Sequence, residues 1–69
     1  MNEKVDLETL EPGEIFEDND GTINLKLYSS PLKNDVVYKN LKTGEIHTNK
    51  TYEHTKVIKI DGIKFIAPI

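Results

Sequence analysis

A chain of 69 residues holds one domain, and a domain this small buries only about 60% of the surface its unfolded chain exposes. With no cysteine, it has neither disulfides nor a thiolate metal centre to widen that margin, which fits a reducing cytosol and leaves oligomerisation as the available support. The net charge is −3 and all nine cations are lysine, so the arginine fork that reads bases and grips phosphate is missing.

The chain opens on Met1-Asn2-Glu3-Lys4-Val5-Asp6, which is polar and has no targeting character. Val5 to Glu11 predicts a short helical turn ended by Pro12-Gly13, with Leu7 and Leu10 on one side to cover an open barrel end. Glu14 to Glu17 reads as a strand, followed by turn chemistry at Asp18-Asn19-Asp20-Gly21. Thr22 to Tyr28 alternates: Ile23, Leu25 and Leu27 are expected in the core, with Thr22, Asn24, Lys26 and Tyr28 facing solvent. Ser29 to Asp35 is a loop. Val36 to Leu41 is a strand, and Lys42 to Glu45 is a turn with Gly44 in the left-handed region. Ile46 to about Thr51 forms a polar edge strand, and Tyr52 to Thr55 is a link.

The last segment carries the strongest local pattern. Val57 to Ile60 and Ile63 to Ile66 flank Asp61-Gly62, a favoured two-residue hairpin turn. That loop length sets Ile60 beside Ile63, Lys59 beside Lys64, Ile58 beside Phe65 and Val57 beside Ile66. The longest apolar stretch, interrupted here by Lys59, Asp61 and Lys64, is unable to span a bilayer. The expected fold is mostly β: an antiparallel, SH3-like or OB-like barrel of five to six short strands. Residues 1–12 are its cap and residues 13–69 the barrel. The expected location is the cytoplasm.

Charge is unevenly spread. Residues 1–21 hold eight carboxylates against Lys4, a net −7, whereas residues 22–69 hold eight lysines against four acids, a net +4. The acidic part either solvates one end and pairs with sheet lysines, or it meets a basic partner. Glu14, Glu17 and Asp18 are the candidate contacts for such a partner. Val57, Ile66 and the terminal Ile69 would lie opposite the hairpin core, where some tuck under the N-terminal cap of a closed barrel or, failing that, all form an apolar patch suited to a partner or a second copy. The opposed Lys59 and Lys64 splay into solvent or clasp an anion or an acidic partner.

Chemistry-bearing constellations are scarce. Ser29 and Ser30 lack a nucleophile frame, and the many acids cluster in turns rather than in an apolar pocket that would raise a carboxyl pKa. His47, His54, Glu45 and Glu53 show no converging metal-ligand spacing. Neither an enzyme, a metal nor a cofactor is expected. Lys26, Lys39, Lys56, Lys59 and Lys64 with Tyr28 and Tyr38 could form a stacking surface for single-stranded nucleic acid, opposed by the acidic total. Tyr28, Tyr38, Lys59 and Lys64 could also hold a nucleotide between subunits.

The run Leu10-x-x-Gly13-Glu14-Ile15-Phe16, then Asp20-Gly21 with Leu25-Lys26, then Asn40-Leu41-Lys42-Thr43-Gly44-Glu45 and Val57, resembles small β-barrel proteins of bacteriophages and prophages of Gram-positive bacteria. The resemblance covers roughly residues 7 to 60. Where those proteins often place an aromatic before the lysine of the second strand, this chain has Leu25. The resemblance implies a phage-encoded protein that binds a host enzyme or defence component and blocks it. It also admits a sponge for a nucleotide signal, or a minor virion part.

Overall fold

In the computed structural model, residues 3–64 are described, with side chains through residue 62. Six antiparallel strands form one sheet: β1 (Lys4–Asp6), β2 (Glu14–Glu17), β3 (Ile23–Ser30), β4 (Asp35–Asn40), β5 (Ile46–Lys50) and β6 (Lys56–Lys64), in the order β1-β6-β2-β3-β4-β5. The fold is therefore mostly β, as alternation and turn chemistry predict. The two end strands of that order do not pair, so the sheet is open where a closed barrel was expected. The N-terminal segment also differs. It is a three-residue strand followed by a 3-10 turn at Leu7–Thr9, since Pro12-Gly13 leaves too little chain for an α-helix. Among the described residues, no helix is long and apolar enough to cross a membrane.

Cross-strand register defines two faces. On the first, Phe16 stands beside Asn24 and Lys59, Asn24 beside Asn40, Lys26 beside Tyr38, and Tyr38 beside His47. On the second, Ile15 stands between Leu25 and Ile60. The N-terminal segment folds over the first face, where Leu7, Leu10, Phe16, Val36 and Val57 make the core cluster with Val5 and Tyr38 packed against it. Leu7 and Leu10 thus act as a lid, over a sheet face rather than a barrel end.

This covering reverses the expected polarity of β3. The alternation is present, but Asn24 and Lys26 are each only 1% exposed, while Leu25 and Leu27 are half-buried and Ile23 is 38% exposed. The lysine stem fills space under the lid, and its ammonium donates to the Leu10 carbonyl. A register shift between Lys26 and Tyr28 then turns Tyr28 to the second face beside Val37.

The Asp61-Gly62 pair does not make the predicted hairpin. The chain runs on as one strand, with Ile60 beside Ile15 and Lys64 beside Glu14, so Asp61, Gly62 and Ile63 bulge out between them. Gly62 has φ 84°, and a bulge uses that freedom as readily as a tight turn does. Ile60 meets Ile15 instead of Ile63, Lys59 meets Phe16 instead of Lys64, and Ile58 lies between Lys4 and Glu17. The Phe65 and Ile66 halves of the expected pairs lie outside the described residues, as does Ile69.

Candidate functional site

The turn after β2 is built by Asp18. Its Oδ1 accepts from the backbone N–H groups of Asp20 and Thr22, each at 2.9 Å, and its Oδ2 accepts from Asn24 Nδ2 at 3.2 Å. Gly21, with φ 80°, closes the turn by donating to the Asp18 carbonyl at 3.1 Å. Asn24 also donates to the Thr22 carbonyl at 3.1 Å, which fixes its amide as a floor. Removing the Asp18 carboxylate strands these donors. Asp18→Ala should therefore cost about 1–2 kcal/mol, measured by urea unfolding with an unchanged m-value.

Beside this turn lies a cleft of about 290 Å³ lined by Asp18, Asp20, Thr22, Asn24, Tyr38, Asn40 and His47. Tyr38 ties it to the core. Its ring meets Phe16 edge-on at 5.4 Å and stacks with His47 at 5.6 Å and 28°. The phenol donates to Asn49 Oδ1 at 3.2 Å, and Asn49 donates onward to Thr55 Oγ1 at 3.1 Å. Burial first, then the charges of Asp18 and Glu53, raise the Tyr38 pKa, so the phenol stays a neutral donor. Asn40 is fixed by the following turn, since its Oδ1 accepts from the N–H of Lys42 at 2.8 Å and of Thr43 at 3.1 Å. The cleft thus offers carboxylates, carboxamides and an aromatic shelf, with no lysine in its lining. Such a surface accepts hydrogen bonds and favours a cation.

The residues singled out from the sequence fall in separate places. Asp18 and Tyr38 line the cleft, the first through the turn its carboxylate builds and the second through its stacking on His47. Glu14 and Lys59 form an ion pair at 2.8 Å, and the carboxylate also accepts from the Glu11 N–H at 2.7 Å. Bonding to Glu14 is the largest cause of a raised Lys59 pKa. Glu17 lies half-buried between Ile23 and Ile58 on the second face. Of the two placements expected for Val57, the exposed patch and the space under the N-terminal segment, the structure shows the second: it is 1% exposed, because Leu7 and Leu10 cover the face it shares with Phe16. Lys64 pairs with Glu14 through the backbone, and Ile66 lies outside the described residues.

Within one chain, the two tyrosines of the alternative ligand set do not come together. Tyr28 and Tyr38 stand on opposite faces, as their partners Val37 and His47 show. Three lysines of the expected cationic strip are also taken up, since Lys26 is buried, Lys56 pairs with Asp6 at 2.8 Å and Lys59 pairs with Glu14. Acid–lysine pairing across the sheet is therefore real in these two pairs. The sequence pattern sets Asn24 toward solvent and offers His47 only as a metal ligand; these two and Asn40 converge only through the register of β3, β4 and β5. Asn40 alone carries a local signal, two residues from Tyr38 on the same strand. Comparison with protein-family models, with curated proteins and with solved structures finds no match to this chain.

Proposed function

We propose that this protein is a non-enzymatic binding module, which acts by holding a cationic side chain of a partner protein in the Asp18–Asp20–Tyr38–His47 cleft. The observation that carries this reading is the lining itself, with two carboxylates and two carboxamides around a flat aromatic shelf and no internal cation. A lysine or arginine of a partner would supply the missing charge and lie along the Tyr38–His47 stack. The polar edge strand β5, which brings His47, would border the same contact. Catalysis fits the arrangement poorly. A nucleophile relay needs a carboxylate aimed at the imidazole, whereas both Asp18 oxygens are engaged by its own turn and by Asn24.

The resemblance to small bacteriophage proteins sets this reading in a bacterial cytoplasm, with a host factor as partner and stoichiometric blockade as the effect. Capture from host lysate with wild-type protein and two variants tests it. Asp20→Lys should weaken capture by about tenfold or more, because it reverses charge at the cleft. Tyr28→Ser, on the opposite face, should capture as wild type does. Undiminished capture by Asp20→Lys, or loss of capture with Tyr28→Ser alone, would move the contact away from the cleft.

A further inference from the structure

A second group of side chains converges at the opposite edge of the sheet. His54 Nδ1 lies 3.3 Å from Glu8 Oε1 and 3.8 Å from Asp6 Oδ2, and the three ligand atoms all fall within 4.8 Å of one another. Backbone bonds set this arrangement. Asp6 is paired with Lys56 in the β1–β6 ladder, and the Leu7 N–H donates to the Thr55 carbonyl at 2.8 Å, clamping the two ligand-bearing segments together. His54 sits at φ 50°, with its N–H donating to the Thr51 carbonyl at 3.2 Å, so the chain reverses there. Lys56 Nζ takes Asp6 Oδ1 at 2.8 Å, which leaves Oδ2 on the imidazole side.

We infer that Asp6, Glu8 and His54 form a binding site for a divalent cation of the zinc class, which staples the N-terminal strand and its 3-10 turn to the segment entering β6. Two ligands each about 2.0–2.2 Å from a tetrahedral zinc ion stand roughly 3.4 Å apart, close to the 3.3 and 3.8 Å that separate His54 Nδ1 from Glu8 Oε1 and Asp6 Oδ2. One imidazole nitrogen with two carboxylate oxygens suits zinc, nickel or copper, whereas calcium and magnesium need a fuller oxygen shell. Three protein ligands on the partly exposed rim leave room for water to complete the coordination. The two carboxylates also lie near enough to a protonated imidazole to hold it as an ion pair, and the test separates that arrangement from metal binding.

Zinc is titrated into the full chain at neutral pH, with the histidine ring resonances and the thermal midpoint as readouts. Saturable binding should shift the His54 ring signals, stop them titrating with pH and raise the midpoint. His54→Ala and the isosteric Glu8→Gln should each weaken binding roughly tenfold or more, while Glu45→Gln, in an exposed turn outside both sites, binds as wild type does. A His54 ring that goes on titrating as a free or ion-paired imidazole in ~1 mM zinc would overturn the site. So would His54→Ala or Glu8→Gln binding zinc as tightly as wild type does.

Discussion

Replacing Lys26 by Ala should cost about 3 kcal/mol, while replacing it by Met should cost about 1 kcal/mol. The side chain does two jobs beneath the lid. Its stem fills the space between Leu10 and Tyr38, and its ammonium satisfies the Leu10 carbonyl. The Lys26 carbonyl in turn accepts from the Gly13 N–H at 2.8 Å, so one residue holds both ends of the Leu10–Gly13 corner. Alanine removes stem and donor together, leaving a cavity and an orphaned carbonyl. Methionine keeps the stem, loses the donor and escapes the cost of burying a charge. Urea unfolding of the three proteins would order them wild type, Met, Ala.

The same pair carries a pH signature. Burial lowers the Lys26 pKa below the ordinary 10.5, opposed by the charges of Glu14 and Glu8. The native state therefore releases this proton before the unfolded chain does. Between the lowered value and 10.5 the unfolded state binds more protons, so this group makes stability rise with pH. Tyr38 and the ion-paired Lys50 and Lys59, whose pKa values are raised, act in the other direction as their unfolded forms deprotonate. Subtracting the Met variant from wild type cancels those groups. The difference should move in favour of wild type as pH climbs from neutrality toward 10.5. A flat difference would mean that the buried amine feels no desolvation.

Local patterns made β2 to β5 legible to within two residues at their ends, with Ser29 and Ser30 of the expected loop extending β3 and Asp35 opening β4, because each strand's signal lies within its own few residues. Glu14–Glu17 is bounded by Pro12-Gly13 and by the Asp18–Gly21 turn, and Gly44 takes the positive φ its turn requires. What remained hidden depends on distant partners. Lys4-Val5-Asp6 has no strand signature of its own and becomes β1 only through Val57 and its neighbours on β6. The Asp61-Gly62 hairpin failed for a related reason. Ile60 finds Ile15 across β2, a non-local pairing that the turn's local preference does not oppose once Gly62 can bulge.

Face assignment failed on β3 for a different physical reason. Period-two alternation gives two sides but does not say which one the rest of the chain will cover. Here the lid chose the side of Phe16, Asn24 and Lys26. It left Leu25 and Leu27 half-buried on a face whose apolar row continues through Ile15 and Ile60. Both candidate sites follow from that choice. The cleft forms where Tyr38 emerges from under the lid, over the buried Asn24, and the Asp6–Glu8–His54 cluster forms where the lid is tied to β6.

Val57→Asp should abolish folding, and Val57→Ala should lower the thermal midpoint by about 10 °C without changing the affinity of the folded protein for a partner. Val57 is fully enclosed, beside Val5 in the β1–β6 ladder and within the cluster of Leu7, Leu10, Phe16 and Val36. An aspartate there would bury an unpaired carboxylate at a cost of several kcal/mol. A chain of this length has roughly 3–10 kcal/mol of stability in total, so little or none would remain. Alanine removes two methyl groups for about 1.5–2 kcal/mol, which the fold survives. The comparison separates the buried Val57 of this structure from an exposed contact residue. An interface valine would behave the opposite way: Val57→Asp would fold, by circular dichroism and amide NMR dispersion, and fail only in capture. A folded Val57→Asp protein would move this side chain out of the core, and with it the lid that defines both faces of the sheet.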